Sequence, residues 1–171
     1  MGLITIQDFK KGKFELHTGM YAQASIQDYI DRYEKKYLIM LLGVTLYDEF
    51  EADLVVGGGS VPTEARFLKI FNSFGMDNFG GVLYSEGILE MLKGFIYFEY
   101  VKDLTNQMTP NGNVIPVGEN SQNGTTLYSM MYARYNESCL TYKVIQHFIN
   151  FGNEFDYSGF SGNEKGFAYW I

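Results

Sequence analysis

The chain has 171 residues, 46% of them hydrophobic and 17% aromatic, which is the length of one domain and enough apolar material for a sizeable core. A formal net charge of −7 and an isoelectric point near 4.8 argue against a protein that grips nucleic acid by neutralising phosphates, which takes clustered Lys and Arg. The single cysteine, Cys139, can form no intrachain disulfide, so nothing in the sequence asks for an oxidising compartment.

Residues 3–6 alternate weakly and predict a short strand or an extended segment, and residues 1–24 as a whole read as an N-terminal arm. Ser25 is the N-cap candidate for "IQDYIDRYEKKYLIMLLG", where Ile26, Ile30, Tyr33, Tyr37 and Leu41 recur at helical spacing and Gly43 supplies the stop. On its other face Asp28 with Arg32 and Asp31 with Lys35 are spaced as i,i+4 pairs. A shorter helix, "VTLYDEFEADL", runs up to Gly57, Gly58 and Gly59, which predict a loop. Its acidic residues Asp48, Glu49, Glu51 and Asp53 lack the glycine and the alternate spacing of a calcium loop and read as a solvated face. Pro62 opens a third helix, "PTEARFLKIFNSF", in the first-turn position that proline favours. Residues 75–84 read as a loop, and Ser85 caps a fourth helix, "EGILEMLKGFIYFEYVKDLTNQM", apolar on nearly all sides and therefore central. Gly94 inside it marks a close helix crossing.

After Met108 the helical pattern fails. Pro110 and the Asn111-Gly112 pair give a hairpin-turn signal, followed by a short extended run through Asn113, Val114 and Ile115 that Pro116 keeps out of the middle of a sheet. A fifth helix, "TLYSMMYARYNESCLTYKVIQHFINF", is ended by Gly152, and the tail "NEFDYSGFSGNEKGFAYWI" suits a segment that docks onto something. The expected architecture is a mainly α single domain: an arm over 1–24, a bundle of about four to five helices over 25–151 with a protruding hairpin-like loop, and an extended tail over 152–171.

Chemical motifs are sparse. His17 and His147 stand far apart, and neither has a metal-ligand spacing; Gly12-Lys13 lacks the preceding glycine of a phosphate loop; Cys139 has no catalytic partner and reads as a buried helix thiol. Glu99, inside "FIYFEYV", must find a partner such as Arg134 or a tyrosine hydroxyl, or shift its pKa upward. No enzyme, catalytic residue, cofactor or metal is expected. The start "MGLITIQDF" has no basic region followed by a long apolar run, and the most apolar stretches are too short or too interrupted by charge to span a bilayer, so no export signal and no membrane partner are expected.

The phrases "YIDRYEKKYLIMLLGVTLYDEFEADL", "RFLKIF", "GILEMLKGFIYFEYVKDLTNQMTPNGNVIPVGENS" and "ARYNESCLTYKVIQHFI", taken in this order, resemble the head-tail connector (adaptor, or head-completion ring) proteins of tailed bacteriophages, especially the crAss-like group. The resemblance runs from about residue 25 to the tail. It implies a structural virion protein of the phage neck, assembled in the host cytoplasm as a ring homo-oligomer, typically a dodecamer, beneath the portal protein. Such a ring also contacts other neck or tail connectors, and double-stranded DNA crosses its channel only in transit. The loop then becomes an intersubunit contact, with Asn111, Gly112, Val114, Ile115 and Pro116 as candidate interaction residues. Tyr169 and Trp170 are candidate anchors, because interface hot spots favour Trp and Tyr. A helical adaptor unrelated to virions is the alternative expectation.

Overall fold

The computed structural model describes residues 2–16, 23–78, 80–105, 107–109, 112–114 and 125–168. It is a helical bundle: among the described residues are five α-helices, α1 (Gln23–Leu42), α2 (Val44–Val56), α3 (Ala65–Phe71), α4 (Ile88–Thr105) and α5 (Thr125–Phe151). Two antiparallel hairpins accompany them, β1 (Phe74–Asn78) with β2 (Gly81–Ser85), and β3 (Gln107–Thr109) with β4 (Gly112–Val114).

Helix α4 is the hub, packed between α1 and α5, and it is apolar around most of its circumference for that reason. Ile88, Met91, Leu92, Phe95 and Ile96 are fully buried on it. Each such side chain contributes roughly 1.5–3 kcal/mol of burial free energy. The predicted crossing at Gly94 is present: a Cβ built there would lie 1.9 Å from Ser138 Oγ of α5, so the two helices touch where neither has bulk.

The long helices fall where the periodicity puts them, and the differences concentrate at their ends. Helix α1 begins at Gln23, so Ser25 lies inside its first turn and does not cap it. Helix α3 is shorter than expected: Pro62 precedes its first residue by three, Glu64 is its N-cap, and Phe74 belongs to β1. Helix α4 starts at Ile88, with Gly87 O accepting Met91 N–H at 3.2 Å in the cap position. Ser85 is the buried last residue of β2, and its Oγ accepts the Gly87 N–H at 3.1 Å. The stretch expected to be a loop instead forms two paired strands: Asn78 pairs with Gly81, and the strands alternate. Phe74, Met76, Leu83 and Ser85 face inward while Val82 and Tyr84 face solvent.

The N-terminal segment forms no strand at 3–6; a 3₁₀ turn covers Ile6–Phe9, and Ile4, Phe9, Phe14 and Leu16 are buried against the bundle. Glu34 of α1 holds this segment by accepting the N–H groups of Leu3 (2.9 Å) and Ile4 (2.8 Å). Residues 152–168 contain no helix or strand, as expected of the tail.

The acidic run of α2 divides. Asp48, Glu49 and Glu51 are exposed, but Asp53 is buried, contrary to a wholly solvated face. Its carboxylate closes the loop between α2 and α3, accepting from the Thr63 hydroxyl, from Thr63 N–H at 2.8 Å and from Glu64 N–H at 3.1 Å. On α1, Asp31 accepts from Gln27 Nε2 at 2.7 Å and Lys35 lies over the Tyr47 ring at 5.4 Å, so the expected pair of these two residues is not made.

Candidate functional site

The end of α1 explains where the tail goes. A helix leaves its last four carbonyls without intrahelical partners, and a helix end inside a protein needs others to supply donors. Here Met40 O accepts Asn163 N–H at 2.7 Å and Leu42 O accepts Ser161 N–H at 3.3 Å. The Tyr142 hydroxyl proton is shared between Met40 O (2.6 Å) and Asn163 O, and Gln146 Nε2 donates to Leu41 O (3.1 Å) and Asn163 O (3.0 Å). Tyr142 and Gln146 are one turn apart on α5, so a single helix face and one tail segment together cap α1. The fit is close: a Cβ at Gly162 would lie 2.0 Å from Leu41 O. Farther along, Ala168 N–H donates to Asn136 Oδ1 (2.9 Å) and Asn136 Nδ2 donates to Ala168 O (2.8 Å). Between these points the Cys139 thiol donates to Gly166 O at 3.4 Å.

That thiol is buried, as expected, and burial raises its pKa against the Tyr135 hydrogen bond and the Lys165 and Lys143 charges, which leaves it a weak nucleophile. Glu99 finds one of its two expected partners. The Tyr37 hydroxyl donates to Glu99 Oε1 at 2.7 Å, and Lys102 Nζ reaches Oε2 at 2.5 Å. Arg134 instead covers the Tyr97 ring at 4.7 Å. Burial, reinforced by the Glu99 hydrogen bond and charge, pushes the Tyr37 phenol far above its ordinary range, so it stays a donor.

Beside this pair the tail contributes a cation. Lys165 Nζ lies 4.4 Å from the Tyr37 ring centroid, 4.7 Å from Phe95 and 5.5 Å from Tyr135, rings carried by α1, α4 and α5 respectively. Tyr37 stacks on Phe95 at 4.6 Å, and Phe95 meets Tyr135 at 5.5 Å. Desolvation lowers the pKa of the Lys165 ammonium, Lys36 adds to that, and electrostatic interaction with Cys139 and Glu99 opposes it.

Of the sequence-predicted interaction residues, Gly112 and Val114 are placed in β4, opposite Thr109 and Gln107. Gly112 is the first residue of β4, paired with Thr109. Asn111, Ile115, Pro116, Tyr169 and Trp170 lie outside the described residues, as does His17. His147 is half-buried with its ring 4.8 Å from Phe151. Among the described residues no group of three or more His, Cys, Asp or Glu is placed to hold a metal ion, and no helix is long and apolar enough to cross a membrane.

Sequence reasoning missed two surface features and the lysine site. The outer face of the β1–β2 hairpin presents Val82 (70% exposed) and Tyr84 (57%); Gly80-Gly81 beside the "VLY" alternation was the signal for it. Val55, Val56 and Val61 stand exposed where α2 meets its following loop. The box around Lys165 has no local signature, since its members come from three helices and the tail. No family model, curated protein or solved structure matches the chain.

Proposed function

We propose that the chain is a structural connector of the phage neck, forming a ring homo-oligomer between portal and tail through which DNA passes. The observation that carries this reading is the α4–β3–β4–α5 arrangement: two packed helices joined through a short hairpin where the resemblance calls for an intersubunit loop. A three-residue strand pair is too small to be stable by itself, and its outer edges offer backbone groups that a neighbouring subunit completes by strand addition. Head-to-tail contacts of that kind close into rings when the rotation per subunit closes. The net charge of −7 supports the same reading, because an acidic channel repels phosphates and lets a duplex slide. The rigid part is the bundle; no step of covalent chemistry is involved.

Quantitative mass spectrometry of purified source particles, normalised to the major capsid protein, tests it. About a dozen copies per particle is the number one closed ring demands. Absence from the particle overturns the reading in favour of a helical adaptor outside the virion. Deleting residues 111–115 supplies the second test: the expected product is a folded monomer that fails to assemble, and complete particles built with the deletion refute a role for the hairpin.

A further inference from the structure

We propose that Tyr37, Phe95 and Tyr135, edged by Glu99, form a binding site for a primary alkylammonium group, and that Lys165 is its intramolecular occupant, keying the tail to the bundle. The proposal is independent of the connector reading.

Three aromatic faces within 5.5 Å of one ammonium nitrogen make a site, because the ring quadrupoles attract a cation most strongly where water is kept away. Among the described residues other lysines lie over one or two rings: Lys143 over Phe167, and Lys36 over Tyr33 and Tyr37. Lys165 is half-buried, and its ammonium belongs to none of the ion pairs of the described residues. Its compensation therefore comes from the rings and from the nearby Glu99 charge. The site is also pre-organised. Tyr37 is fixed by its hydrogen bond to Glu99 and its stacking on Phe95, and Phe95 is fully buried in the hub helix. The tail backbone brackets the lysine, with Asn163 bound to Met40 O on one side and Gly166 and Ala168 bound to Cys139 and Asn136 on the other. The box thus receives a side chain from a segment that has no secondary structure of its own and is held by a few side-chain and backbone hydrogen bonds, each individually weak.

The alternative is that the lysine stem merely covers apolar surface, in which case a neutral group of the same length serves equally well. Chemical rescue separates the two. In the full-length Lys165→Ala variant, hydrogen exchange at the Ser161, Asn163 and Ala168 amides is expected to accelerate at least about tenfold, the scale of a desolvated cation–π contact. Added n-propylammonium, which replaces the atoms the substitution deletes, is expected to restore protection, whereas 1-propanol is not. Lys165→Met retains the hydrocarbon reach and is expected to exchange faster than the parent as well. Unchanged protection in both variants, or equal rescue by 1-propanol, overturns the proposal.

Discussion

The α4–α5 contact at Gly94 is directly open to test, because Gly94→Ala sets two opposing effects against each other. Glycine in a helix interior is worse than alanine by about 1 kcal/mol, so on propensity alone the substitution stabilises. The new Cβ would lie 1.9 Å from Ser138 Oγ, 3.2 Å from Ser138 Cβ and 3.3 Å from Phe14 Cε1. Rotating the serine hydroxyl relieves only the first contact, and Ser138 and Phe14 are both buried, at 3% exposure, so neither yields freely. Overpacking of a filled core costs about 1–3 kcal/mol. Taking the middle of that range, the net is a destabilisation of about 1 kcal/mol, or roughly 2–4 °C in Tm for a domain of this size. Thermal denaturation followed by circular dichroism reads it. A Ser138→Ala partner substitution removes the nearest atom, so the double variant is expected to recover about half of the loss, a coupling that a double-mutant cycle isolates. If Gly94→Ala raises Tm by the amount propensity alone gives, the α4–α5 register described here is wrong.

Three other changes probe the caps. Asp53→Asn removes a carboxylate that accepts from Thr63 and Glu64; hydrogen bonds to a charged group contribute about 1.5–3 kcal/mol, and a loss of about 2 kcal/mol in a urea titration is expected. Burial works to raise the Asp53 pKa, but the Thr63 hydroxyl, the two backbone N–H groups and the Arg66 charge outweigh it and hold it below the ordinary 3.8. The stabilisation is therefore complete above that unfolded value and is lost as pH falls through the lower folded one, so the parent and the Asn variant should converge in stability as the pH falls below 3.8. Tyr142→Phe deletes the hydroxyl shared by Met40 O and Asn163 O and is expected to lower Tm by a few degrees, with faster exchange at the tail amides; an unchanged Tm would show that the tail does not cap α1. Gly162→Ala brings a methyl to within 2.0 Å of Leu41 O and is expected to release the tail to limited proteolysis between residues 153 and 168 while the bundle stays folded.

The helices were legible because each carries its own signal. Ile26, Ile30, Tyr37 and Leu41 repeat along α1, and Gly43 and Gly152 mark real ends. Gly94 was legible for the same reason, as an anomaly inside a strong pattern. What the sequence hid was decided by distant partners. Ser25 and Ser85 are good caps by residue type, but Gly87, with its left-handed φ of +89°, takes the cap position of α4, and tertiary packing draws Ser85 into β2. Asp53 looked like one more solvated acid, yet the glycine-rich loop folds back so that Thr63 and Glu64 reach it. The box around Lys165 brings together residues 37, 95, 135 and 165, and no window of sequence contains two of them.

These placements bear on how the proposed connector would make its contacts. The sequence reading offered both the hairpin and the tail for intersubunit work, but the two are not equivalent. Residues 161–168 supply donors to α1, accept from α5 and fill the box with Lys165, so a tail that reaches a neighbour must leave the end of α1 with fewer donors and the aromatic site empty. The β1–β2 hairpin, which the sequence reading did not offer, is a further candidate, because Val82 and Tyr84 on its outer face are already exposed. If the chain does form a ring, the hairpins offer the less costly contact, and engagement of the tail in trans becomes a switch whose position the Ser161, Asn163 and Ala168 amides report. A ring that assembles with those amides still protected assigns the interface to the hairpins; loss of protection on assembly assigns it to the tail.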